Sequence, residues 1–65
     1  MTLEKARELL KNHVYIGHGY SRNAAKLVLA EVSREHGQQA VDALIVELDM
    51  TEVFGFQPGE RFKSP

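Results

Sequence analysis

The stretch 38–56, QQAVDALIVELDMTEVFGF, constrains this chain more than any other, because its helical pattern is apolar on two opposite sides. At about 100° per residue, Val41, Leu44, Ile45 and Leu48 share one face at the i, i+3, i+4, i+7 spacing, with Ala40 at its edge. That face is a core stripe. Ala43, Val46 and Met50 recur at i, i+3, i+7 and point almost the other way, divided from the first stripe by Glu47 on one flank and by Asp42 and Asp49 on the other. A helix apolar on two sides needs two partners.

The chain has 65 residues, enough for one domain and close to the size at which a single core is marginally stable. No cysteine is present, so disulfides cannot add stability, and thiol nucleophiles, Cys-ligated zinc and redox switching are excluded. Eight Lys and Arg face nine Asp and Glu without a long block of either sign, which argues against a nucleic-acid backbone as the main partner. No segment approaches the roughly 20 apolar residues of a membrane span, and the N-terminus lacks a leader pattern. The expectation is a soluble, cytoplasmic protein.

Three helices are predicted, over residues 2–13, 21–36 and 39–50. In the first, Thr2 is the cap, and Leu3, Ala6, Leu10 and His13, with Leu9 beside them, form the apolar side. From Asn12 to Tyr20 the period fails, and HVYIGHGY reads as a structured loop with Val14, Tyr15 and Ile16 partly packed and both tyrosines covering the bundle end. Ser21 is the expected cap of the second helix and Gly37 its left-handed end. Ala25, Val28, Leu29 and Val32 form its core stripe, and Leu27 lies off it. Thr51 is placed to cap a short last turn, TEVF, closed by Gly55. Gln57, Pro58 and Gly59 suggest a type II turn, Phe62 can anchor the tail, and the terminal KSP is expected to fray.

Chemical motifs are sparse. His13, His18 and His36 have no metal-ligand spacing, GHG matches neither a dinucleotide fingerprint nor a P-loop, and Ser21 and Ser33 suit a cap and a wet helix position. Neither serine is a candidate nucleophile, and no paired carboxylates sit in an apolar surround, since Asp42, Glu47 and Asp49 flank helix faces, so no enzyme, metal or cofactor is expected. ALIVELDMTEVFGF resembles a helix-turn-helix pattern in its early Ala, its apolar Met50 within the turn and its capping Thr51. It departs in Asp49 where a turn glycine is favoured, in a second helix stopped by Gly55 and Pro58, and in an exposed Glu52.

The expectation is therefore an all-α three-helix domain over 1–56 with a short helical turn and an aromatic tail over 57–65. Its function is that of a non-enzymatic interaction or regulatory protein, a homodimer or an accessory subunit of a larger protein. Leu27, Ala43, Val46, Met50, Phe54 and Phe56 are the candidate interface. The alternative is a DNA-binding regulator that uses Arg22, Asn23, Lys26 and Arg34.

Overall fold

The computed structural model describes residues 1–17 and 20–62, and among these the chain is all helix, turn and irregular backbone. Four helices follow one another: α1 (Leu3–Ile16), α2 (Tyr20–His36), α3 (Gln38–Glu47) and α4 (Met50–Phe54). Three are the expected bundle helices, and the fourth is the expected last turn. Expectations for His18, Gly19 and the terminal KSP, and for the side chain of Tyr20, lie outside the described residues.

Helix α1 starts as its sequence dictates. Thr2 has extended backbone, and its Oγ1 accepts the Lys5 N–H at 3.0 Å, with Glu4 in the first turn facing the positive helix end. The helix runs three residues past the expected end at His13. Val14 is half-buried against the core, and the small helical penalty of β-branched residues does not stop a helix that gains such packing. What stops it is Gly17 at φ 79° and ψ 3°, whose N–H bonds His13 O at 2.8 Å. Tyr15 and Ile16 are thereby held on the last turn and not in a loop.

Helix α2 begins one residue early, at Tyr20, so Ser21 is not its cap but a buried member of its first turn. Gly37 ends it with positive φ, 93°, but with ψ 170° and not in the left-handed helical well. Its N–H bonds Ser33 O at 3.0 Å, and Gly37 alone separates α2 from α3. Helices α1 and α2 run antiparallel. The Met1 amine lies 2.5 Å from Glu35 Oε1 and 3.3 Å from Glu31 Oε2, and His36 Nε2–H donates to Met1 O at 2.9 Å. These contacts set the start of α1 against the end of α2.

The expected helix over 39–50 ends at Glu47, three residues early, and the expected last turn begins at Met50, one residue before Thr51. Leu48 closes α3, and Asp49 takes a left-handed conformation at φ 56° and ψ 40°, so Met50 opens α4 in a new direction. Thr51 consequently lies within α4 and is not its cap; its Oγ1–H donates to Phe56 O at 2.5 Å. Gly55 closes α4 in the left-handed well as expected. The Pro58–Gly59 turn also forms, with Gly59 at φ 90° and the Glu60 N–H on Gln57 O at 3.0 Å.

The core takes Ala6 and Leu10 from α1, Ala25, Leu29 and Val32 from α2, and Val41, Leu44 and Ile45 from α3. These belong to the apolar stripes read from periodicity, but Leu3 of the expected α1 stripe is exposed, Leu9, Val28 and Leu48 are only partly buried, and Ala30 of α2, outside the expected stripe, is buried in the core. To them are added Met50 and Phe54 of α4, Phe56 just after it and Phe62 of the tail. Arg7 joins α1 to the end of α3, its Nε shielded from water and 2.7 Å from Glu47 Oε2, an ion pair without the alignment of a hydrogen bond.

Candidate functional site

The second apolar stripe of 38–56 does not survive as one surface. Met50 leaves it at the Asp49 turn and is fully buried, and Phe54 and Phe56 are buried too, so these three candidate interface residues serve the chain's own core. Ala43 and Val46 remain outside on α3, Val46 at 68% exposure, and Leu27 is 53% exposed on α2. Two larger exposed side chains were not among the candidates: Tyr15, 91% exposed, and Ile16, 54% exposed. Tyr15 therefore does not cover the bundle end. Their neighbourhood, HVYIG, carried the signal, but its broken period reads as a loop, whereas α1 presents both on its last helical turn.

Of the three acids that flank this α3 face in the sequence, the two on α3 itself, Asp42 and Glu47, are engaged within the chain. Glu47 pairs with Arg7, and Asp42 Oδ1 accepts the Gly59 N–H at 2.7 Å and the Gln38 side-chain amide at 2.9 Å. Gln38 also donates to Glu60 O at 2.8 Å, so one short polar cluster ties the 57–60 turn to the first turns of α3. The Gly59 N–H first, and the Gln38 amide second, hold the Asp42 carboxyl below the ordinary aspartate range. Gln38 and Asp42 stand i, i+4 apart, which marks them as a helix pair, but nothing local to them announces the tail.

The four candidate nucleic-acid residues, Arg22, Asn23, Lys26 and Arg34, are all on α2, and each is at least partly open to solvent. Arg22 also serves the fold itself. Its Nε–H donates to Phe54 O at 3.2 Å, and its guanidinium lies 5.1 Å from the centre of the Phe56 ring. Arg34 Nη2 is 3.9 Å from Glu31 Oε1. The helix-turn-helix pattern yields a second helix of only five residues, of which Met50 and Phe54 are buried. Such a helix has neither the length nor the side chains to read a major groove.

Among the described residues, no group of three or more His, Cys, Asp or Glu side chains could hold a metal ion. His36 bonds Met1 O, and His13 is half-buried on α1. One shallow open depression lies along α1, lined by Lys5, Glu8, Leu9, Lys11 and Asn12, all on a single helix. No described helix is long and apolar enough to cross a membrane. The chain matches no family model, no curated protein and no solved structure.

Proposed function

We propose that this chain is a non-enzymatic helical interaction protein, acting as a homodimer or as an accessory subunit of a larger protein. One observation carries the reading. Met50, Phe54, Phe56 and Phe62 close the core within the chain, yet Tyr15, Ile16, Leu27 and Val46 are left half or more exposed on its helices. Large apolar side chains held in water on preorganised elements favour association, each worth roughly 1.5–3 kcal/mol when fully buried, before association costs.

The homodimer is tested through α3, where Ala43 and Val46 stand between acids already engaged within the chain. Sedimentation equilibrium of the untagged chain at low and moderate salt is expected to give a dimer, and Val46→Glu a monomer with unchanged helix content. A wild-type chain that is monomeric up to high micromolar concentration eliminates the homodimer.

The second reading, a DNA-binding regulator, draws on the clustering of Arg22, Asn23, Lys26 and Arg34 on one side of α2. It requires binding to duplex DNA that weakens steeply with salt and is lost on charge reversal at Arg22, Lys26 and Arg34. Absence of binding at low salt rejects it.

A further inference from the structure

The bend at Leu48 and Asp49 has no cause in its own sequence. From Gln38 to Phe54 there is neither glycine nor proline, the residues that ordinarily end a helix. Yet α3 closes at Glu47, and Asp49 takes a left-handed conformation that a residue with a Cβ resists, with no side-chain bond capping the helix that follows. What holds the bend lies beyond it. Met50, Phe54, Phe56 and Phe62 are buried in the core. Arg22 donates to Phe54 O and covers the Phe56 ring, Asp42 accepts the Gly59 N–H, and Gln38 donates to Glu60 O. Each of these contacts joins the segment 50–62 to residues before the bend.

The same contacts form whether that segment comes from one chain or from a second copy. Supplied by a second copy, they let Asp49 leave the left-handed well and 38–54 run on as a single helix, and a short hinge under strain favours such an exchange. Val46, just before the hinge and 68% exposed, then lies where the straightened helices of the two copies pass each other. The α3 patch by itself is too small to hold a dimer. A stable interface takes about 800 Å² from each partner, roughly a fifth of this chain's 4268 Å², whereas Ala43 and Val46 offer two side chains. An exchanged segment that buries four large side chains in the other copy supplies what the patch lacks.

We infer that two copies of the chain exchange residues 50–62 about a hinge at Leu48 and Asp49, the Met50, Phe54, Phe56 and Phe62 of each filling the core of the other. This rests on the reading of the chain as a homodimer and names how the two copies are joined.

The test uses the full chain. Carbon-13-labelled and unlabelled copies are unfolded together in urea and refolded, and isotope-filtered nuclear Overhauser spectra are recorded on the dimer. Contacts between the Arg22 side chain and the Phe56 ring are expected between copies. Sedimentation equilibrium then compares Asp49→Ala, which favours the straight helix, with Asp49→Gly, which accepts the left-handed turn. The alanine variant is expected to dimerise at least about a hundredfold more tightly, since both hinges of the dimer change. Asp49 is exposed, so neither variant removes a core contact.

Contacts between copies confined to Ala43 and Val46, with Arg22 and Phe56 meeting only within a copy, overturn the exchange and leave the homodimer standing. Equal dimer affinity in the two Asp49 variants overturns the exchange as well. A parent chain and an alanine variant that both stay monomeric up to high micromolar concentration lose the homodimer and the exchange together.

Discussion

Asp49 is, among the described residues, the one non-glycine with positive φ, and its conformation decides where Met50 goes. A left-handed backbone costs a residue with a Cβ roughly 1–2 kcal/mol, and aspartate tolerates it better than most. With that turn in place Met50 is fully buried; with a continued α-helix it would extend the Ala43–Val46 side instead. Asp49→Val, β-branched and unsuited to the left-handed well, is expected to lower stability by about 1–2 kcal/mol, while Asp49→Gly is neutral or stabilising. Urea midpoints measure both. Equal midpoints for the valine and glycine variants would mean that the conformation at Asp49 does not limit the fold.

At the scale of elements, the tail behaves as part of the core. The rings of Phe54 and Phe56 lie 5.4 Å apart, and Phe62 meets Phe56 edge-on at 5.1 Å, with an interplanar angle of 75°. Phe56 is among the largest fully buried side chains, and Arg22 covers its face. Truncating a buried phenylalanine to alanine costs about 3–5 kcal/mol, as much as the whole stability expected of a single core in a chain this short. Phe56→Ala is therefore expected to be largely unfolded at 25 °C by far-ultraviolet circular dichroism and to lack a cooperative melt. A variant that melts cooperatively near the parent temperature would show that the four-helix core stands without the Phe56 ring.

At the scale of the whole molecule, a polar cluster fastens the chain's last turn to α3, and it depends on an ionised Asp42. Because the folded carboxyl is held below its ordinary value, near 3.9, folding favours the charged form. The stabilisation is thus present above that value and lost as pH falls through the lower, folded one. Glu35 has the same sign, held down chiefly by the Met1 amine. Urea midpoints are expected to fall on acidification below about pH 4, and Asp42→Asn, which cannot titrate, to fall less steeply. Identical pH dependence in parent and variant would remove Asp42 from the acid response.

Periodicity alone determined that α1, α2 and α3 exist and most of the residues they bury, though not where they end, because the apolar spacing of a helix is written locally and each stripe must find cover. Gly55 and Gly59 were legible for a related reason: they supply backbone conformations that other residues resist. The rest was decided by contacts between residues far apart in the chain. Whether Val14 to Ile16 continue a helix, whether Met50 faces in or out, and whether the phenylalanines serve a partner or their own core depend on which surfaces meet. Arg22 over Phe56, Arg7 against Glu47 and Asp42 on Gly59 come together only when the helices pack, since nothing in their local sequence specifies the distant group that each one meets.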